Sequence, residues 1–112
     1  MPYYLYQVSY KDEQYKAMIE NPQDRSAQAS KLIEAHGGKL HQFFFAFGDY
    51  DVVAISEFPD NETATAAALA VASTGAFSKF KTTVLIAPDE AQRAMSRAGS
   101  VDSGYQPPSG VR

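Results

Sequence analysis

The feature that most constrains the fold is a segment, Lys39 to Phe47, that is apolar on both of its sides. Its sequence, KLHQFFFAF, is rich in aromatic residues, which favour β-strands. Successive side chains of a strand point to opposite faces of a sheet. Strict alternation therefore places one set of residues on one face and a second set on the other: His41, Phe43, Phe45 and Phe47 against Leu40, Phe44 and Ala46. A sheet built on this strand needs cover on both faces.

Breaker residues divide the first third of the chain into a strand and two helical stretches. A strand is predicted over Pro2–Tyr10, since β-branched and aromatic residues dominate it. A helical stretch opens at Lys11 and is interrupted at Asn21-Pro22, because the residue before a proline avoids helical angles. A second stretch runs from about 23 to 36 and ends at Gly37-Gly38, where glycine can adopt the left-handed conformation at little cost.

The rest of the ordered chain reads as a hairpin, a helix and a last strand. Strands Lys39–Phe47 and Tyr50–Phe58, joined by Gly48-Asp49, predict an antiparallel hairpin. A helix from about Glu62 to Ser73 is capped by Asp60 or Asn61, and a final strand covers Phe77–Ala87. The order β-α-β-β-α-β predicts an α+β, ferredoxin-like domain with helices on one face of a four-stranded antiparallel sheet.

The second face of that sheet predicts a homo-oligomer. The third strand is also apolar on both sides, with Val53 and Ile55 on one and Val52, Ala54 and Phe58 on the other. An antiparallel sheet with a solvated face would alternate apolar and polar residues instead. In a chain of 112 residues, the natural cover is the same sheet of a second copy, related by a two-fold axis.

Composition sets the domain boundaries and excludes several kinds of function. Residues 1–87 form the predicted domain. Residues 88–112 add a short amphipathic helix, about 89–97, and a Gly-, Ser- and Pro-rich tail that is flexible or ordered by a neighbour. The net charge of −3 and the scattered basic residues argue against nucleic-acid binding. The absence of cysteine excludes a thiolate metal site, and no signal or membrane segment is evident, so we expect a cytoplasmic protein.

Several short motifs resemble the GYD domain family. They are Ala35-His36-Gly37-Gly38-Lys39-Leu40, Phe47-Gly48-Asp49-Tyr50-Asp51, Val52-Val53-Ala54-Ile55, Glu57-Phe58-Pro59-Asp60, and Gly75 with Thr82-Thr83-Val84-Leu85. The resemblance covers about Pro2 to Ala87. It departs at Lys11–Tyr15, where the family usually has a glycine, and the tail after Pro88 has no counterpart in the family pattern. It implies a ferredoxin-like protomer that pairs into a dimeric α+β barrel. That superfamily includes oxygenases, isomerases, dehalogenating enzymes and ligand-sensing domains, but the GYD family has no settled activity.

Candidate site residues lie in the strands and in the signature turn. Asp51 could act as a general base beside Tyr50, and His41 could relay a proton. The alternative is structural: Gly48 sets a turn, Asp49 and Asp51 bond backbone amides, Tyr50 packs, and His41 is a hydrogen-bonded interface residue. Candidate ligand-binding residues are Tyr4, Tyr6, Phe43, Phe45 and Gly48. No metal site and no cofactor are predicted.

Three functions remain open on the sequence. The first is a homo-oligomer that binds a small apolar or aromatic molecule in a cavity, either between sheet and helices or between sheets. The second is a cofactor-independent isomerase or monooxygenase that uses Asp51, Tyr50 and His41. The third is a structural or assembly protein with the tail from Gly99 as a docking arm.

Overall fold

The structure, a computed structural model, describes residues 1–110 of the chain. It contains four strands and four helices: β1 (Tyr3–Tyr10), α1 (Asp12–Glu20), α2 (Arg25–Ala35), β2 (Lys39–Phe45), β3 (Val52–Glu57), α3 (Asn61–Ala72), β4 (Phe77–Leu85) and α4 (Pro88–Ser100). Val111 and Arg112, the end of the predicted tail, lie outside the described residues.

The four strands form one antiparallel sheet in the order β2-β3-β1-β4. This order, with α1 and α2 after β1 and α3 after β3, confirms the predicted ferredoxin-like α+β arrangement. β1 and β3 occupy the centre of the sheet, and β2 and β4 form its two edges.

Local signals in the sequence set the helix ends. The side chain of Asp24 accepts a hydrogen bond from the Ser26 amide at the start of α2, and Asp60 accepts one from the Thr63 amide at the start of α3. Donation from the hydroxyl and amide of Thr63 also lowers the pKa of the Asp60 carboxyl. Past the end of α2, Gly37 has a φ of 79°, the left-handed conformation expected there.

The hydrophobic core lies between the sheet and the helices. One cluster joins β1 and β3 to α2 and α3: Tyr4, Tyr6, Ile33, Ala54, Phe58, Ala64 and Ala67. A second, smaller cluster contains Val8, Tyr10 and Val52. Tyr4, Tyr6, Val8 and Tyr10 of β1 therefore share the face that the helices cover, as the alternation of side chains along a strand requires.

The predicted faces of β2 are wrong in part, because the strand contains a register shift. Leu40 pairs with Ser56 but Gln42 pairs with Ile55, so an extra residue, His41, interrupts the ladder. Beyond the shift, Phe43 pairs with Ala54 and Phe45 with Val52. Leu40, Phe43 and Phe45 consequently share the helix-covered face, and His41 does not lie with Phe43 as strict alternation had predicted.

We call the second side of the sheet the open face and define it by Tyr3, Leu5, Phe44, Val53 and Ile55. Register places Leu5 beside Ile55, and Phe44 beside Val53. Leu5, Val53 and Ile55 are half-buried, whereas the side chain of Phe44 is 57% exposed. None of the five belongs to either core cluster. Within one copy of residues 1–110, this face therefore carries an apolar patch outside both core clusters, with Gln7 beside Val53 and Gln42 beside Ile55.

Helix α4 extends away from the core. It is longer than the predicted 89–97 helix and includes Gly99 and Ser100, which had been assigned to the tail, yet it has no buried residue. The Cα radius of gyration is 18.5 Å and the longest dimension 60 Å, whereas a compact chain of this length has a radius of gyration of about 13 Å. Residues 101–110 form neither helix nor strand.

Candidate functional site

A cavity of about 630 Å³ lies between the sheet and helices α1, α2 and α3. Its aromatic wall comes from β1, β2 and β4: Tyr6, Tyr10, Phe43, Phe77 and Phe80. Aliphatic side chains of the sheet and helices line much of the rest: Val8, Met18, Leu32, Ile33, Val52 and Val71. This volume and this lining are typical of pockets that bind small molecules.

The cavity exists because the helices present small or distant side chains to the sheet. α1 has no buried residue, α2 buries Ile33, and α3 buries two alanines, Ala64 and Ala67. Alanine does not reach far enough to fill the space above the large rings of β1 and β4. A helix layer of this composition leaves a gap where leucine or phenylalanine would have formed a close-packed core.

The aromatic wall is held in a fixed arrangement by contacts between its own rings. Tyr6 and Phe80 meet edge to face with centroids 5.8 Å apart, and Phe77 and Phe80 do so at 5.9 Å. Tyr10 stacks on Phe77 at 5.0 Å. Ring pairs in such geometries are stabilising beyond the area they bury, so the wall is formed before any ligand arrives.

The hydroxyl group of Tyr6 already has a hydrogen-bond partner within the protein. It donates a hydrogen bond of 2.9 Å to the carbonyl oxygen of Ala64 in α3. Burial raises the pKa of Tyr6 to about 12, which keeps the phenol neutral at physiological pH. Tyr6 therefore serves the cavity as an aromatic surface and not as an acid or base.

Polar groups concentrate on the helical side of the cavity. Three glutamines contribute there, Gln14, Gln23 and Gln28, together with the cations Arg25 and Lys31. Arg25 donates from Nη1 to Oε1 of Gln23 at 2.7 Å. The cavity thus has an apolar wall on the sheet and a polar, cationic rim on α1 and α2.

A second cavity of about 310 Å³ lies beside Asp51. It is lined by Tyr15, Phe45, Ala46, Phe47 and Asp51. Burial is the main cause that raises the pKa of Tyr15, and the neighbouring Asp51 carboxylate raises it further. Sequence reasoning missed Tyr15, whose partner lies 36 positions away; the one signal was that Lys11–Tyr15 departs from the family pattern.

The Gly48–Asp51 signature ties the β2–β3 connection to the centre and far edge of the sheet. Asp51 accepts from the Tyr10 amide through Oδ2 at 3.0 Å, and its own amide donates to the carbonyl oxygen of Val8 at 2.8 Å. Lys79 donates from Nζ to the carbonyl oxygen of Asp49 at 2.6 Å, and Nζ lies 4.8 Å from the ring centroid of Tyr50. Through these contacts, Asp49, Tyr50 and Asp51 organise the backbone of the β2–β3 connection.

His41 lies far from Asp51 within one chain. Its Nε2 is 2.8 Å from Oε1 of Glu57, and its ring centroid is 5.3 Å from that of Tyr3. Asp51 lies just before β3, at the other end of the β2–β3 hairpin. At the rise of a β-strand, this is about 15 Å from His41. The structure therefore does not bring Asp51, Tyr50 and His41 together in one protomer.

The predicted ligand-binding residues are distributed between the two cavities. Tyr6 and Phe43 line the larger cavity and Phe45 the smaller one. Tyr4 is buried in the core, and its hydroxyl donates to Oδ1 of Asn61 at 2.6 Å. Gly48 lines neither of the two.

The described residues offer neither a metal site nor a membrane-spanning helix. Between positions 1 and 110, no three His, Cys, Asp or Glu side chains are grouped so that they could hold a metal ion. Over the same residues, no helix combines the length and the apolar character needed to cross a bilayer.

Fold and cavity together define the class, a ferredoxin-like α+β domain with an apolar pocket between its sheet and its helices. The family model described as the GYD domain matches residues 4–95. The chain therefore belongs to the GYD domain family, and the match extends past Ala87 into α4. A comparison with curated proteins gives no match.

Proposed function

We propose that this GYD-domain protein is a homo-oligomer that binds a small apolar or aromatic molecule in the cavity between its sheet and its helices. The observation that carries the proposal is the cavity of about 630 Å³ with its wall of five aromatic rings. A ligand placed there would bury apolar surface, which is favourable by roughly 25 cal/mol per Å².

Ring orientation favours a flat ligand body. Tyr6 and Phe77 each meet Phe80 nearly edge to face, at interplanar angles of 68° and 87°. Rings set at such angles present both faces and edges, and an aromatic ligand can pair with either. The neutral Tyr6 hydroxyl, already bonded to Ala64, has no need of a polar partner from the ligand.

The open face supports the oligomeric part of the proposal. Leu5 pairs with Ile55 at its centre, and Val53 pairs with Phe44, whose ring is 57% exposed. Contiguous apolar surface of this kind marks interaction sites in soluble proteins. A two-fold axis lets one such face cover the same face of a second copy.

Catalysis is not part of the proposal, because Asp51 and His41 are separated along the hairpin within a protomer. The Asp51 carboxylate also accepts a hydrogen bond from the Tyr10 amide and interacts with the phenol of Tyr15. No observation on the remaining strands or helices favours the isomerase or monooxygenase alternative.

The cavity is tested with N-phenyl-1-naphthylamine, a neutral apolar dye whose fluorescence rises in apolar surroundings. Ala29 is half-buried and lines the cavity, so Ala29→Phe should fill part of it and weaken dye binding roughly tenfold, or about 1.4 kcal/mol. Ala27 lies on the same helix but is exposed and does not line the cavity, so Ala27→Phe is the matched control and should bind as wild type does.

Titrations of the three proteins, each checked for its fold by circular dichroism, decide the matter. Saturable binding by wild type and Ala27→Phe, with weakened binding by Ala29→Phe, supports the cavity as the site. Wild type that fails to bind the dye saturably, or Ala29→Phe that binds as tightly as wild type, would overturn the proposal.

A further inference from the structure

The charged residues of the larger cavity have one sign. Arg25 and Lys31 line it, and within residues 1–110 no Asp or Glu does. The chain as a whole is acidic, with 13 acidic residues against 10 basic ones. The cavity rim is therefore a cationic region on an anionic protein, and the rim of such a cleft attracts anions.

These two cations have no carboxylate partner in the part of the chain that the structure describes. The ion pairs there are His41 with Glu57 and Arg93 with Asp89. Asp24, the carboxylate adjacent to Arg25 in sequence, is engaged in capping α2 through the Ser26 amide at 3.0 Å. Arg25 and Lys31 therefore keep their charge available to a ligand.

The guanidinium of Arg25 retains most of its hydrogen-bonding capacity. One of its five N–H donors is used on Oε1 of Gln23, a bond that also holds the side chain at the rim. The residue is half-buried, whereas Lys31 is exposed and can reach the rim on its flexible stem. A planar guanidinium in this position can bind a carboxylate with two parallel hydrogen bonds.

We propose that the ligand of this cavity is an anionic amphiphile, a molecule with an aromatic or branched alkyl body and one carboxylate. The body would lie against Tyr6, Phe77 and Phe80, and the carboxylate would bind Arg25 and Lys31 at the rim. This inference rests on the proposed function, since it names the chemical class of the molecule that the cavity takes.

Three naphthalene probes of one shape separate the head group from the body: 2-naphthoate, neutral 2-naphthalenemethanol and cationic 2-naphthylmethylammonium. Isothermal titration calorimetry of the full chain should give 2-naphthoate the tightest binding, by about tenfold over the alcohol, a difference of about 1.4 kcal/mol. The cation should bind more weakly than the alcohol, because it meets like charge at the rim.

Substitutions then assign the preference to the two rim residues. The double variant Arg25→Gln and Lys31→Gln should lose about tenfold in affinity for 2-naphthoate while its affinity for the alcohol stays unchanged. Lys39→Gln is the control, because Lys39 is an exposed cation of β2 that does not line the cavity. It should leave all three affinities as in wild type.

The outcomes distinguish this inference from the function on which it rests. Equal binding of the three probes, or a 2-naphthoate affinity that the double variant retains, would overturn the carboxylate preference and leave the cavity as a binding site for neutral molecules. Tighter binding of the cation would also overturn it. If none of the three probes binds at millimolar concentration, the proposed function fails together with the inference.

Discussion

Asp51 illustrates how a residue of a family signature can be held entirely by contacts within the fold. Its carboxylate accepts from the Tyr10 amide and interacts with the phenol of Tyr15, while its own backbone bonds Val8 and Ala46. The hydrogen bonds join the β2–β3 connection to β1. Asp51 is therefore a structural residue of the β2–β3 connection.

Removing this carboxylate should destabilise the domain. Asp51→Ala leaves the Tyr10 amide without its acceptor, which costs about 1–3 kcal/mol for a group removed from water. Asp49→Ala is the matched control, because Asp49 contributes its carbonyl oxygen and not its side chain. Urea denaturation measures the free energy of unfolding of both variants. An Asp51→Ala value equal to that of Asp49→Ala would contradict the structural role of the Asp51 carboxylate.

Side-chain direction could be predicted from the sequence where the backbone is regular and could not where it is irregular. β1 has an unbroken ladder with β3, so strict alternation describes its faces, with Tyr4, Tyr6 and Val8 on one side. The extra residue at His41 has no local signature in the sequence. Relative to Phe43, it places the residues of β2 up to His41 on the faces opposite to those that strict alternation predicts. The contact between Asp51 and Tyr15 depends on how α1 packs, which no spacing in the sequence encodes.

At the scale of elements, the clearest agreement is the end of α2. The prediction needed the left-handed conformation at Gly37, and the structure adds a close approach at Gly38. A Cβ at Gly38 would lie 2.6 Å from the carbonyl oxygen of Glu57 and 2.6 Å from Cδ1 of Phe58, which is fully buried. The two glycines therefore serve different purposes, one conformational and one steric.

Gly38→Ala should consequently be costly, by about 1–3 kcal/mol as for other overpacked sites, since neither the β3 backbone nor the buried ring can move aside freely. Gly48→Ala provides the control, because a Cβ at Gly48 meets no atom within 4 Å. It should change the free energy of unfolding by less than about 0.5 kcal/mol. Equal melting temperatures for the two variants would show that the close approach is not a constraint.

Element boundaries were less predictable than element order. β2 ends at Phe45 and β3 begins at Val52, so the connection is longer than the Gly48-Asp49 turn had suggested. Propensity favoured continuing both strands through Phe47 and Tyr50. The bonds from Asp51 to β1 and from Lys79 to Asp49 hold this segment instead, and both involve residues distant in sequence.

For the molecule as a whole, the open face is the feature that sequence and structure share. Both faces of β2 and β3 were predicted to be apolar, and the helices cover one of them. The cavity, by contrast, could be expected only in general terms, because its volume depends on how far each helix stands from the sheet.

Pairing through the open face predicts that Phe44→Glu lowers the oligomeric state. A carboxylate in the apolar patch would be buried without a partner in any assembly that covers it, at a cost large enough to favour separate chains. Leu69→Glu is the control, since Leu69 is an exposed apolar residue of α3 with an exposed fraction, 64%, close to the 57% of Phe44.

Light scattering coupled to size-exclusion chromatography measures the mass of each variant at micromolar concentration. Wild type and Leu69→Glu should elute as the same oligomer, and Phe44→Glu as a smaller species with an unchanged circular dichroism spectrum. A monomeric wild type, or a Phe44→Glu variant that keeps the full mass, would exclude this face as the interface.

The alanines of α3 have one more consequence. Ala67 and Ala68 line the cavity from a helix whose end caps and outer surface do not depend on them. Exchanging the half-buried Ala68 for valine or leucine would reduce the inner space, whereas Ala67 is fully packed in the core and has no room for a larger side chain. The size of a molecule that this cavity could accept would then depend on the volume of a few methyl groups on α3.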